Sequence, residues 1–514
     1  KVDDAFPLEA RLVSNMIEQS QHRVEGANFD VRKHLLEYDD VLNKQRTQIY
    51  SQRDRIFTKE DLRDDVQEML EAEVKKRVEA AHEDGENFWR LPAWLEQVQP
   101  TFQIASQGLV PSFPMKVILD EFASKPDPKS AAVQLADRTL TIEHSYLQTA
   151  IETSVERANE ALQAQLKERE DILDIFFTGL RDAEEKPKLQ QTLEELQALV
   201  RLPIKLDNNQ QRGLVNDPSS VEEEIRELVA DQLTDLAVTR LVGAVENRLG
   251  ESLGFSKEDL AELAWDDIAA EVTTRAEATL TRQRERFAGA DGILAHDAEF
   301  LLTRENLSDD SSKLRFLLSL SQGQRNVFDA RTHRQVKQAY QRFNYSFLAA
   351  ELMQEMSVDD LVENILVHLE GAEDALTLAW GREDALRRGE PAEGQDEAKL
   401  QEAGYRLLNE AHRRLLLSAI TELWVDYLTR VEALRVSIGL EAYAQRDPLV
   451  QYKTRASEMF QELLADIRGV VIGRLFAIQR RPSLEALEEA AVDSDESKPA
   501  EQSQSSGKKK RKRH

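Results

Sequence analysis

The chain has 514 residues, a net charge of −28 and 32% charged side chains, with only 20 Gly and 14 Pro, a profile of long solvated helices rather than sheets. Such acidity disfavours general nucleic-acid binding, because a phosphate backbone is repelled. The absence of cysteine excludes disulfides, thiol nucleophiles and thiolate-bound zinc, and no apolar run reaches the roughly 18 residues of a membrane-spanning helix. The start at Lys1, with neither Met nor a signal-peptide pattern, predicts a cut edge.

From Pro7 a helical pattern runs to about Phe57, with Val31, Leu35, Tyr38, Leu42, Ile49 and Ile56 on one stripe and Gln45 and Gln52 filling it. The next region, to about Gly404, is predicted as mostly helical. Prolines break its first part, and none occurs between Pro218 and Pro391, which permits long helices there. Thr58-Lys-Glu-Asp61, Ser256-Lys-Glu-Asp259 and Ser357-Val-Asp-Asp360 each read as a helix start, a hydroxyl capping orphan amides ahead of first-turn carboxylates. Gly389, Pro391 and Gly394 mark a hinge.

A helix is then expected from about Glu402 to Leu440, with Leu416, Ile420, Leu423, Tyr427, Val431, Leu434 and Ile438 as its stripe. A second, from about Pro448 to Gln479, carries Phe460, Leu463, Ile467, Val470 and Leu475. Asp447 is placed to cap it, and Pro448 suits its first turn, where a missing N–H costs nothing. Two antiparallel helices with a short polar tip follow. After Arg481 the composition becomes acidic and Ala-rich, then ends in Lys508, Lys509, Lys510, Arg511, Lys512 and Arg513, which predicts a disordered linker with a basic end. The fold class expected is all-α.

Motifs for self-contained chemistry are missing from the sequence. There is no Gly-x-x-x-x-Gly-Lys-Ser/Thr phosphate loop, no His-Glu-x-x-His and no Gly-x-Ser-x-Gly, and the nine His are scattered. No catalytic residue and no metal site is expected in this chain.

Two separated strings carry a family resemblance. One is Val24-Glu-Gly-Ala-Asn-Phe-Asp-Val-Arg-Lys-His-Leu-Leu-Glu-Tyr-Asp-Asp-Val-Leu-Asn-Lys-Gln-Arg46. The other runs from Arg413-Arg-Leu-Leu-Leu through Trp424-Val-Asp-Tyr-Leu to Tyr443-Ala-Gln-Arg-Asp-Pro448. Both, in this order, resemble SecA, the ATP-driven motor of bacterial protein export. The resemblance implies a helical scaffold over 1–58, a helical wing with a large insertion over 59–401, a two-helix finger with scaffold return over 402–480, and a disordered tail over 481–514. It implies that Tyr38, Asp39, Asp40, Arg46 and Trp424 couple scaffold to motor, and that Tyr443, Gln445 and Arg446 at the finger tip contact the preprotein and the SecY channel.

ATP and Mg would be held by nucleotide-binding domains that precede Lys1, so this chain alone should not hydrolyse ATP. The implied location is the bacterial cytoplasm and the cytoplasmic face of the membrane, as a peripheral protein. A tyrosine ring on a loop tip also suits sequence-blind contact with a passing chain on physical grounds alone. The sequence departs from the family at Leu440-Glu441-Ala442, where Leu-Arg-Gly is usual, and at the C-terminal zinc module, whose cysteines are absent, so no zinc is expected. The six-cation end suits an anionic membrane surface or the ribosome, each cation contributing about 1 kcal/mol near such a surface. A solvated tail explains it equally. No specific nucleic-acid partner is expected, and a homodimer is left open. The alternative reading is a stand-alone helical or coiled-coil scaffold without motor activity.

Overall fold

The computed structural model describes residues 11–104, 108–182, 188–256, 265–289, 292–304, 306–329, 331, 334–390, 396–441 and 448–477. It is 81% helical, so the all-α class holds, with two small antiparallel hairpins added to it. In chain order the elements are α1 (Arg11–Thr58), α2 (Arg63–Asp84), α3 (Arg90–Val98), β1 (Phe102–Ile104), β2 (Gly108–Val110), α4 (Phe113–Ala123) and α5 (Pro128–Arg181). Then come α6 (Leu189–Val200), α7 (Asn208–Asn216), a 3-10 turn, α8 (Glu222–Leu249), α9 (Trp265–Ala288), α10 (Ile293–Leu302) and α11 (Asp310–Ser321). The remainder is β3 (Gln322–Asp329), β4 (Arg334–Gln341), α12 (Ser346–Gln354), α13 (Val358–Arg387), α14 (Glu397–Glu441) and α15 (Pro448–Gly473).

The chain divides into two compact units, one of residues 1–77, 97–100 and 364–514, the other of residues 78–96 and 101–363. In the first, α1, α14 and α15 share one apolar core. Ile49 and Ile56 of α1 meet Leu416, Ile420, Trp424, Tyr427, Val431 and Ile438 of α14, and Tyr452, Phe460, Leu463 and Ile467 of α15. The seven-residue stripe read on α14 is thus the face turned to that core, with Leu423 and Leu434 at its margin. Gln45 lies within the core as expected, whereas Gln52 is exposed. Arg53, the next residue, is half-buried.

Helices α13 and α14 approach closely enough to exclude side chains. A Cβ added at Gly404 would stand 1.8 Å from the Thr377 carbonyl oxygen, and one at Gly381 would stand 1.8 Å from that of Leu400. Of the hinge residues, Gly389 adopts φ +74°, closing α13 in the left-handed region; Pro391 and Gly394 lie outside the described residues.

The second unit is organised on α5, a 54-residue helix that lies in the part of the chain the prolines were expected to break. Asp127 caps it by accepting from the Ser130 N–H at 3.0 Å, and Pro128 starts it. Its C-terminal half packs on α6, α7 and α8 through Leu173, Phe177, Leu196, Leu214, Ile225 and Val229. Its middle packs Ile151 against α8 and α9 through Leu241, Val245, Ile268, Val272 and Leu280.

One expected helix start is corrected. Thr58 ends α1, its hydroxyl donating back to the Asp54 carbonyl at 2.8 Å, and α2 begins beyond Asp61, whose carboxylate accepts from the Arg63 N–H at 2.9 Å. Ser357 does cap α13, accepting from the Asp360 N–H at 3.2 Å, while 257–264 lie outside the described residues. Among the described residues no helix is long and apolar enough to cross a membrane.

Candidate functional site

Long helices packed by aliphatic stripes alone can slide or rotate past one another, because leucine on leucine is satisfied in several registers. A buried polar group removes that freedom, since a misplaced partner leaves it unsatisfied. Gln45 of α1, 8% exposed, is such a group. Its Nε2 donates to the Ala456 carbonyl of α15 at 3.1 Å. Its Oε1 accepts from the Tyr427 hydroxyl of α14 at 2.8 Å, and that hydroxyl also lies 3.2 Å from the Ala456 carbonyl. One residue from each helix therefore meets at a single point.

Aromatic rings surround this point. Tyr427 stacks on Trp424 at 5.3 Å with 21° between planes, and meets Phe460 edge-on at 5.9 Å. Tyr38 meets Tyr452 edge-on at 4.7 Å. Burial, added to by the neighbouring Tyr452, raises the Tyr427 phenol above its ordinary range, so it stays a neutral donor.

A second set of contacts reaches from the start of α14 to the end of α1. Asn409 accepts from the Leu62 N–H at 3.0 Å and donates to the Glu60 carbonyl at 2.6 Å. Arg413 donates to the carbonyls of Phe57 at 3.1 Å and Lys59 at 2.9 Å, supplying partners for a helix terminus that has none of its own. His412, 1% exposed, lies between them in sequence; burial pushes its imidazole down to about 4, and its Nδ1 has no hydrogen-bond partner among the described residues. The arrangement suits the holding of helices in register. Among the described residues no cluster of His and carboxylates could hold a metal.

Comparison with known proteins resolves what this geometry belongs to. The family described as the SecA Wing and Scaffold domain matches residues 7–295 and 302–479.

The chain belongs to this SecA family.

Relatives similar to it include the protein translocase subunit SecA of Roseiflexus sp., 30% identical over 266 residues that make up 48% of this chain and 25% of the relative. Those of Heliobacterium modesticaldum and Thermodesulfovibrio yellowstonii are 44% and 49% identical over 106 and 79 residues, covering 20% and 15% of this chain and 13% and 9% of theirs. The chain thus spans a quarter or less of the length of these SecA relatives. No solved structure matches.

Within this SecA segment, Tyr38 and Trp424 belong to the aromatic surround, the Trp424 indole N–H being buried without a hydrogen-bond partner among the described residues. Asp39 is exposed, 3.9 Å from the Arg435 guanidinium of α14, and Asp40 is exposed beside it in sequence. Arg46 is also exposed, and it is Gln45 that enters the core. Tyr443, Gln445, Arg446 and Asp447, and the six cations from Lys508 to Arg513, lie outside the described residues; Pro448 is the first residue of α15. Sequence reasoning set Gln45 and Tyr427 on their stripes without pairing them. It gave no role to Asn409 and His412, for which the signal is a pair of polar residues on the line of an apolar face.

Proposed function

We propose that this chain is the force-relaying part of a SecA motor that drives ATP-dependent export of unfolded preproteins through the SecY channel. The observation that carries the reading is the meeting of Gln45, Tyr427 and the Ala456 carbonyl, which ties α1 to both helices of the α14–α15 hairpin. Helix α1 has 48 residues, a rod of about 70 Å at the usual rise. A rod tied at its buried side chains to a helical hairpin passes displacement on without changing shape. Motion made in nucleotide-binding domains outside this chain would enter along α1 and leave through the hairpin, whose connection carries Tyr443, Gln445 and Arg446.

ATP and Mg do not fit the residues present here. The sequence has no phosphate loop, and among the described residues no carboxylate cluster could take a cation, so we assign both to domains outside this chain. Membrane association is proposed to be peripheral, at the cytoplasmic face, with anionic lipid or the ribosome as partners for the basic end.

The test uses the intact protein of which this chain is a part, and follows ATP-dependent transport of a preprotein into membrane vesicles. Tyr443→Ala should lower transport and Tyr443→Phe should retain it, since the ring and not the hydroxyl makes the contact. Tyr427→Phe should lower transport while ATP hydrolysis in the absence of preprotein persists. Unchanged transport by both Tyr443→Ala and Tyr427→Phe would overturn the reading in favour of a passive scaffold.

A further inference from the structure

The second unit contains a groove that the proposed relay does not use. Helices α5 and α8 run antiparallel, since Arg181 pairs with Glu222 at 2.8 Å, Arg226 pairs with Asp174, and Arg248 donates to the Ala150 carbonyl at 3.0 Å. Large apolar side chains fill the space between them towards either end. Leu162 and Leu233 belong to one of these cores and Leu241 to the other. Midway, both facing lines turn to alanine, at Ala158 and Ala161 of α5 and at Ala237 and Ala244 of α8, and a half-open cavity of about 210 Å³ remains. It follows α5 from Ser154 to Gln165 and α8 from Leu233 to Ala244, a length of about 16 Å at the usual rise.

The lining is four leucines and four alanines, with Ser154, Gln165 and Arg240 as its polar members and no carboxylate among them. Water finds few partners in such a space. The Ser154 hydroxyl is already engaged, donating to the Ala150 carbonyl at 2.6 Å and accepting from Arg248 at 3.3 Å. Arg240 is the exception. Arg181, Arg226 and Arg248 all tie α5 to α8, whereas Arg240, on the wall of the cavity, has no ion pair or hydrogen bond among the described residues. The antiparallel arrangement also gives the groove two unlike ends. Arg240 and Arg248 stand towards the Ser154 end, and Leu162, Leu233 and Leu236 towards the other.

We propose that this groove is a binding site for a medium-chain fatty carboxylate. The carboxylate meets the Arg240 guanidinium, which accommodates two oxygens at once, and the alkyl chain lies along the alanines towards the leucines. An apolar cavity of about 150 Å³ holds benzene, so the space here takes a chain of about eight to ten carbons. The shape selects a chain over a ring, because the lining extends along two helices for three turns. The free cation at one end selects a head group that is negative. The proposal is independent of the relay reading, since binding of a carboxylate needs neither ATP nor a channel.

The test is isothermal titration calorimetry of the full chain with decanoate, below the concentration at which it forms micelles. Decanol serves as the neutral control, and a form with Lys508 to Arg513 replaced by serine removes the basic end. Decanoate should bind at least tenfold more tightly than decanol, and Arg240→Gln should remove that difference. Octanoate should bind about tenfold more weakly than decanoate, for two methylenes fewer. Ala237→Leu fills the groove, and should abolish binding while thermal unfolding stays at or above the wild-type midpoint. Should that midpoint fall, Ala161→Leu blocks the groove from an exposed position instead and should abolish binding in the same way. Absence of decanoate binding by wild type overturns the proposal. So does equal affinity for decanoate and decanol, affinity unchanged in Arg240→Gln or in the groove-filling variant, or loss of binding on tail substitution alone. Arg240-dependent flotation with phosphatidylglycerol vesicles, without decanoate binding, overturns it in favour of a bilayer contact.

Discussion

The two units place their buried polar side chains differently. In the first, Gln45, Tyr427 and the Ala456 carbonyl join three helices well inside their ends. In the second, polar side chains mostly finish helices and turns. Arg169 of α5 donates to the Val200 carbonyl at the last residue of α6, and Gln283 of α9 to the Leu249 carbonyl at the last residue of α8. Glu143 of α5 accepts from the Asn344 N–H ahead of α12 at 3.0 Å, and Ser311 from the Leu109 N–H of β2 at 2.9 Å. The first arrangement fixes how helices lie against each other along their length. The second fixes where helices stop, and its polar ties between helices, such as Arg284 of α9 to Asp137 of α5 at 2.7 and 2.9 Å, lie at the partly exposed surface.

The sharpest way to break this contrast is Tyr427→Ala, which removes both ring and hydroxyl and should cost about 3–5 kcal/mol in denaturant unfolding. Gly404→Ala should cost about 1–3 kcal/mol by overpacking against the α13 backbone, read in the same way. Tyr427→Phe keeps the ring and strands the Gln45 oxygen, for an expected loss of about 1–2 kcal/mol. If that loss is no larger than for an exposed ion pair, the polar meeting point does not set register.

Glu143 tests the second unit by pH. Burial pushes its carboxyl up to about 7, against the opposing Asn344 N–H bond, so the folded state holds a proton that the unfolded state releases above about 4.5. The contribution is therefore full below about 4.5 and lost as pH rises through about 7. Glu143→Gln, which retains an acceptor for Asn344, should flatten that decline in thermal unfolding across the window. The smallest effect belongs to the exposed pair of Arg430 with Glu462 between α14 and α15, 3.1 Å apart, where Arg430→Ala should cost under about 1 kcal/mol in denaturant unfolding.

Much of the first unit could be read from sequence because its helices each bury one regular stripe. The α14 stripe from Leu416 to Ile438 emerges from spacing alone, and the expected helices of about 402–440 and 448–479 correspond to Glu397–Glu441 and Pro448–Gly473. The pairing of Gln45 with Tyr427 was not legible, since residues 382 positions apart leave no local trace of their contact. Thr58 misled because the hydroxyl that caps a helix start equally bonds back within a helix end.

In the second unit, α5 was missed although no proline lies between Pro128 and Pro187, the same signal that suggested long helices after Pro218. The β3–β4 ribbon gave less warning still. It follows α11 directly at Gln322, carries few β-branched residues, and lacks an Asn-Gly or Asp-Gly turn.

The crossing at Gly381 and Gly404 has a mechanical corollary. Ordinary helix pairs are cushioned by side chains whose rotamers yield before the backbone does. Here two main chains bear directly on each other, with Thr377 and Leu400 carbonyls occupying the space a methyl group would need. A twist imposed on either helix has no compliant layer in which to dissipate, and the crossing behaves as a pinned joint.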